Sequence, residues 1–348
     1  MVEMVTLEGP LEPRRLGWIA ELYGRADPKY RRPEILDHLF ARGPAGPSLH
    51  AFALDGGRAV GHCAVIPQRA RHGTDELRCG KLEALFVEES HRGRRAGEEP
   101  LVRALLARLY AFADERELAL VHALVTPRVG RITGFTPLAG VGERTFVAVM
   151  RPRRLAVAEL RSPRNALADM QAAVRGVAYA LARAAARGQA EVTLRPPAAE
   201  DVDLAEGPPP PQGRWTLVAG EAWDWYRASP LLRVLQIAGP HGCRALIQVP
   251  GAAHEPLRLI GWRPVRTGLL PALLLIGAAG RVARGGGAAT LRFQPWASRA
   301  GDGALGRACR QLGFVPRSDL TTLWVRCHDP ELARPEAVVA TPLFYLAF

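Results

Sequence analysis

The sequence predicts a mixed α/β protein built from two similar halves in tandem. Three observations carry that expectation. The chain has 348 residues, more than the roughly 250 at which a single core stops growing. Residues Lys81–Leu109 read as a strand, a basic glycine turn and a helix. The second half then repeats the order of the first, with Gly134-Phe135 and Gly313-Phe314 at equivalent places.

The elements follow in order. Leu16–Tyr23 and Glu34–Phe40 have helical patterning, with Pro33 suited to a first helical turn. Leu49–Leu54 and Ala59–Ile66 read as strands joined by the hairpin turn Asp55-Gly56-Gly57. Arg78–Val87 is the next strand. A basic turn leads to a helix ending near Ala113, with Pro100 in its first turn, where a missing N–H costs little. Leu118–Val125 is apolar and strand-length. Thr126–Thr133 leads to Gly134-Phe135 and a last strand, Glu143–Met150.

Arg164–Arg187 places Leu167, Met170, Val174, Val177 and Leu181 at helical spacing, an amphipathic helix that packs on a domain. Pro208–Pro211 is a polyproline linker. The second half reads as a hairpin (Leu231–Ala238, Cys243–Val249), a strand (Leu257–Trp262), a helix (Leu269–Ala283) and a strand (Ala289–Gln294). A helix (Ala304–Leu312) and the strand Leu320–Val325 close it. Expected domains are therefore 1–155 and 214–348, with 156–213 as helix and connector. The aromatic run Trp223-Asp224-Trp225-Tyr226-Arg227 reads as packing rather than as a site.

Composition narrows the function. A hydrophobic fraction of 48% with 23% charged residues is that of a globular protein. The formal net charge is +12, but the arginines are scattered and form no tail or single helix face. That argues against nucleic acid as the partner and for a basic surface that attracts small anions. Five cysteines without a C-x-x-C pair argue against a zinc or disulfide framework and suit a reducing, cytoplasmic setting. The N-terminal stretch carries acids and no apolar core, unlike a signal peptide. Leu269–Ala279 is too short to cross a bilayer.

The turn His91-Arg92-Gly93-Arg94-Arg95-Ala96-Gly97 carries the chemistry. Unpaired N–H groups at a helix start converge, and the helix dipole favours an anion there. Glycines allow close approach, and Arg92, Arg94 and Arg95 add charge-assisted donors. Neither a P-loop nor a complete G-x-G-x-x-G is present.

The turn resembles motif A of the GNAT superfamily of CoA-dependent N-acyltransferases. Arg92 takes the first position of that motif, Arg95 the fourth and Gly97 the last, after a strand ending Phe86-Val87. The resemblance covers roughly residues 5–150, and the whole chain looks like a tandem GNAT arrangement. It implies two domains, each with a mixed, mostly antiparallel twisted sheet flanked by helices. No basic glycine turn follows Trp262, where the chain reads RPVRTG, so the second half is expected to bind no CoA. The departure is Arg95, where the family usually has glycine. A left-handed backbone there would cost arginine about 1–2 kcal/mol.

The resemblance also implies a reaction. An acetyl or other short acyl group passes from acyl-CoA to a primary amine by direct attack, with no metal. Phe86 and Val87 would meet the pantetheine arm, and an N–H near Val87 would polarise the thioester. Arg92, Gly93, Arg94, Arg95, Ala96 and Gly97 would hold the diphosphate of acetyl-CoA. Glu83, on one strand face with Lys81 and Leu85, is the candidate base; the alternative is an ion pair. The family often has a tyrosine ahead of its Gly-Phe turn as leaving-group acid. Here it is missing, with Thr133 and Tyr110 as weak substitutes. His62, His91 and His122 look isolated. A catalytically inactive acyl-CoA binder and a Fem-like aminoacyl transferase are the alternatives. The protein would be a monomer or homodimer, away from membranes; the acceptor is not readable.

Overall fold

A computed structural model of the chain describes residues 2–24, 27–41, 43–138, 144–149, 193–206, 210–230, 233–238, 244–249, 256–263, 269–286, 288, 290–293, 309, 314–318 and 322–338. The expected helix Arg164–Arg187 lies outside them. So do nearly all of Ala304–Leu312, residues 264–268 of the RPVRTG segment, and half of the proline linker.

In chain order the elements are β1 (Val2–Glu8), α1 (Pro13–Gly24), α2 (Pro33–Phe40), β2 (Leu49–Asp55), β3 (Arg58–His72), β4 (Asp75–Val87), α3 (Leu101–Glu115), β5 (Leu120–Val125), α4 (Pro127–Thr133) and β6 (Thr136–Leu138). They continue as β7 (Arg144–Val149), β8 (Thr193–Arg195), β9 (Trp215–Leu217), α5 (Gly220–Arg227), β10 (Arg233–Ala238), β11 (Arg244–Val249), β12 (Leu257–Arg263), α6 (Leu269–Gly285), β13 (Thr290–Phe293), β14 (Val315–Ser318) and β15 (Thr322–Cys327). Most of Thr126–Thr133, to which the sequence reading assigns no element, is thus a short helix. Pro127 starts it, the Thr126 side chain caps it, and Gly134 ends it at φ +72°.

The chain forms two compact units, and neither is contiguous. One takes Met1–Ala139, Pro208–Pro230 and Thr321–Val339; the other takes Gly140–Gly207, Leu231–Leu320 and Ala340–Phe348. The sheet of the first runs β1-β2-β3-β4-β5-β15-β6, with β9 also on β3. Its first four strands are an antiparallel meander, β4 and β5 are parallel, and β15 is antiparallel to both β5 and β6. The second sheet runs β8-β10-β11-β12-β13-β7-β14, again with one parallel pair, β12 with β13.

Each sheet therefore borrows one strand from the other half of the sequence. β7, expected to finish the first domain, lies between β13 and β14. β15, expected to finish the second, lies between β5 and β6. This is why the expected contiguous spans 1–155, 156–213 and 214–348 do not coincide with the compact units. Both strands are apolar and strand-length, so pattern alone cannot say which sheet receives them.

Alternation along the strands divides the first unit's core. Ala51, Ala53 and Cys63 pack under Leu105, Leu109 and Ala113 of α3. The intervening Phe52 and His62 face Trp18 and Tyr23 of α1. α5 belongs to this unit. Trp225 stacks on His38 at 4.9 Å and donates Nε1–H to its carbonyl at 3.0 Å, and Tyr226 is fully buried. The aromatic run is packing, as its composition suggests.

Candidate active site

The site begins where two parallel strands part. β4 and β5 pair only through Cys79–Lys81 with Leu120–His122. β4 then runs on to Val87 and β5 to Val125 without pairing to each other, so each presents a bare edge to the gap. Amide directions alternate along a strand. The Glu88 amide donates to Val60 on β3 at 2.8 Å, so the Val87 amide faces the gap. The Val87 carbonyl points there too and accepts from Arg92 Nε at 3.1 Å.

A bulge sits just before this edge. The register passes from Val65↔Leu82 to Ala64↔Ala84, leaving Glu83 unpaired. Bulges re-aim side chains and are frequent beside active sites. Glu83 turns to Lys81, Oε2 to Nζ 2.7 Å, with both side chains only 8% exposed. The expectation that Lys81, Glu83 and Leu85 share one face is corrected for Leu85. The extra residue shifts the alternation, and Leu85 packs on the α3 side. Burial opposes the charge on Lys81, yet Glu83 outweighs it and holds the ammonium above the usual lysine range.

Beyond Val87 the chain makes one 3-10 turn, Glu89–His91, then the glycine loop. Gly93 and Gly97 take left-handed backbone, φ +87° and +63°. Arg95 does not. It lies in a two-residue ladder, Arg95↔Pro100 and Ala96↔Glu99, so the left-handed cost considered for arginine does not arise. The same ladder corrects Pro100, which precedes α3 rather than lying in its first turn. At the helix start the Leu101 amide is taken by the Arg94 carbonyl at 2.9 Å. The amides of Gly93, Gly97, Val102 and Arg103 have no partner among the described residues. Glu98 and Glu99 are exposed at the same place and set two negative charges against an incoming anion.

The arginines differ in their engagement. Arg92 lies over the Phe86 ring at 5.6 Å. Arg94 reaches Asp55 at 3.2 Å, and the buried His91 reaches the same carboxylate at 3.1 Å. The His91 hydrogen bond, with help from Arg94, holds Asp55 below the usual carboxylate range. Arg58 grips Glu88 through two bonds, 3.0 and 2.6 Å, and lowers that carboxyl likewise. Arg95 makes no hydrogen bond or ion pair among the described residues.

The two hydroxyls considered as leaving-group acids are occupied. Tyr110 Oη donates to the Thr133 carbonyl at 3.1 Å, and Thr133 Oγ1 donates to Gly130 at 2.7 Å. Burial also pushes the Tyr110 phenol well above its ordinary range.

None of the three histidines is isolated. His91 meets Asp55, and His122 Nε2 lies 2.9 Å from Gln68 Oε1. His62 belongs to a buried chain with Ser48, His50 and Tyr23. Ser48 Oγ donates to the Phe40 carbonyl at 2.5 Å, so it accepts from His50 Nε2 at 2.7 Å. His50 Nδ1 must then accept from His62 Nε2 at 2.9 Å, and His62 Nδ1 faces Tyr23 Oη at 3.1 Å. The readable signal was the hairpin itself: period two puts His50 and His62 on one face as diagonal neighbours.

A cleft of about 740 Å³ opens beside Phe86, between the end of α1, the start of β3 and the Glu88–Arg92 segment. No group of His, Cys, Asp and Glu among the described residues could hold a metal ion. None of their helices is long and apolar enough to cross a membrane.

Comparison with known proteins decides the family of one stretch within this unit. The model of the acetyltransferase (GNAT) family matches residues 15–128, which span the split strands and the glycine loop. These residues are a GNAT domain. Solved structures extend the likeness over both halves. A tandem GNAT protein from the clavulanic acid biosynthesis pathway is 16% identical, TM-score 0.55, over 95% of this chain and 99% of that one. A probable N-acyltransferase from Enterococcus faecalis V583 is 11% identical, TM-score 0.55, over 95% of this chain and 74% of that one. Saccharomyces cerevisiae N-myristoyltransferase with bound myristoyl-CoA is 12% identical, TM-score 0.57, over 93% and 82%. At such identities the likeness is one of fold: two GNAT folds in tandem. A search of curated proteins gave no match.

Proposed function

We propose that the protein is an N-acyltransferase that moves an acetyl or other short acyl group from acyl-CoA to a primary amine. One observation carries this reading. The bare edge of β4 presents the Val87 amide, and the loop beyond it presents unclaimed amides at Gly93, Gly97 and the start of α3.

The diphosphate of acyl-CoA is assigned to the loop Arg92, Gly93, Arg94, Arg95, Ala96 and Gly97. Arg95 is the arginine with no other engagement, and Arg94 would have to share itself with Asp55. The pantetheine arm follows the open edge at Phe86 and Val87. The thioester oxygen then lies at the Val87 amide, where a preorganised donor stabilises the developing negative charge. The deprotonated amine attacks the carbonyl carbon. The C–N bond forms as C–S breaks, the thiolate leaves and takes a proton, and the amide is released. Glu83 is assigned as the base that receives the amine's proton, with Lys81 fixing its orientation.

An inactive acyl-CoA binder is favoured by one observation, the occupied hydroxyls of Tyr110 and Thr133. Calorimetry with acetyl-CoA tests the common part, and thiol release across an amine panel separates the two. Heat with thiol release supports the transferase. Heat without release supports the binder. No heat from folded protein rejects both.

A further inference from the structure

The cleft beside Phe86 holds charged side chains beyond the donor loop, of whose residues only Arg92 reaches its lining. Among the described residues, six of its lining side chains are charged: Glu21, Arg31, Arg58, Glu88, Glu89 and Arg92. Arg58 and Glu88 satisfy each other. Glu21 and Glu89 make no side-chain hydrogen bond or ion pair among the described residues, and neither does Arg31. Arg92 spends only its Nε, on the Val87 carbonyl. Two carboxylates, Glu21 and Glu89, and one guanidinium outside the donor loop, Arg31, therefore line the cleft with capacity to spare, and Arg92 adds positive charge at the donor end.

A simple cation would meet Arg31 and Arg92 there. A simple anion would meet Glu21 and Glu89. A small molecule carrying one charge of each sign satisfies both sets. Leu22, Ala20 and Ala59 supply apolar wall between them. The two ends are distinct. Arg92 is bonded to Val87 and so marks the reacting end. Arg31 lies across Gly24 on the α1 wall, where an added Cβ at residue 24 would come within 2.7 Å of Arg31 Cγ.

We infer that the acceptor is an α-amino acid with an apolar side chain, its carboxylate on Arg31 and its amino group at the Glu89 and Phe86 end. This deepens the acyltransferase reading and rests on it for the fate of the amine. The α-ammonium gives one proton to Glu83, the base assigned above, the resulting amine attacks the thioester carbon, and the second proton accompanies the departing thiolate. The product is an N-acyl amino acid.

Calorimetry without any CoA tests the cleft by itself, using L-leucine, L-phenylalanine, leucinamide and 4-methylpentanoate. L-Leucine or L-phenylalanine binds. Leucinamide, without the carboxylate, and 4-methylpentanoate, without the amine, bind about tenfold more weakly or worse, since each strands a charge-assisted partner. Arg31→Met closes the gap between L-leucine and leucinamide. Arg31 is exposed, and an unchanged melting temperature checks the fold of the variant. Equal binding of L-leucine and leucinamide, a gap that survives Arg31→Met, or no heat from either amino acid overturns the inference. Amino-acid binding in a protein that takes no acetyl-CoA would keep the zwitterion site and defeat the transferase reading. Acetyl-CoA binding without amino-acid discrimination would do the reverse.

Discussion

His50 and His62 share a single hydrogen bond of 2.9 Å in a fully buried pocket between β2, β3 and the first two helices. Both rings are held neutral. Burial pulls His50 down to about 3, and burial with the neighbouring ring pulls His62 well below its usual value. Burial, with Lys81 nearby, pulls His122 to about 3.

A pH dependence of stability follows. In the unfolded chain these histidines titrate near about 6.5. Above that pH neither state binds the extra protons and the full stability is present. Below it the unfolded chain takes up protons the folded core refuses, so stability falls with pH, by about 1.4 kcal/mol per pH unit for each histidine, and for His50 and His122 the fall continues to near pH 3. Urea midpoints measured at pH 8.5, 7.5 and 5.5 are expected to hold between the first two and drop at the third. A flat profile would show that the rings protonate in place.

The glycine loop separates backbone from charge. Gly93→Ala and Gly97→Ala force a side chain into left-handed backbone and cost about 1 kcal/mol each, with weaker acetyl-CoA binding. Arg95→Ala is extended and exposed, so its melting temperature stays put while acetyl-CoA binding weakens and loses salt dependence. Calorimetry beside thermal melts checks both. A drop in melting temperature for Arg95→Ala would contradict its extended backbone.

Glu98 and Glu99 crowd the start of α3 with negative charge. Replacing both by glutamine removes repulsion at a helix N-terminus, an effect worth about two- to fivefold in anion affinity at low salt. Acetyl-CoA titrations at two salt concentrations should show the gain shrinking as salt rises. An unchanged constant would place the anion elsewhere.

Lys81 and Glu83 form a buried pair, and breaking such a pair strands a charge. Lys81→Met is expected to cost about 3–5 kcal/mol. Glu83→Gln keeps a polar partner for Lys81 and should retain acetyl-CoA binding while thiol release collapses. Full activity in Glu83→Gln would remove Glu83 from the chemistry.

Trp324 of β15 covers Gly130 of α4 so closely that a Cβ there would lie 2.1 Å from its ring. Gly130→Ala should therefore destabilise the first unit by about 1–3 kcal/mol through overpacking, read as a lower urea midpoint. No change would mean that β15 does not sit against α4.

Much of this was legible in the residues. The strand, turn and helix around Arg92 announced themselves by period and by glycine, and the order of elements pointed to two equivalent halves. Three things were hidden, each for a physical reason. The bulge at Glu83 is a register event between two chains, invisible in one strand's pattern, and it moved Leu85 to the opposite face. In the Ser48–His50–His62–Tyr23 chain the hairpin period brings only His50 and His62 together, and the links to Tyr23 of α1 and to Ser48 before β2 depend on packing. The exchange of β7 and β15 is a choice of sheet, and apolar alternation fixes only which face is buried.

That exchange dictates an order of events at the ribosome. The meander β1 to β4 can assemble as soon as it emerges, but β5 and β6 must wait for a partner translated some two hundred residues afterwards. Until β15 arrives, the nascent protein carries an unsealed seam beside its future reaction centre, and a product released short of Thr322 never closes it.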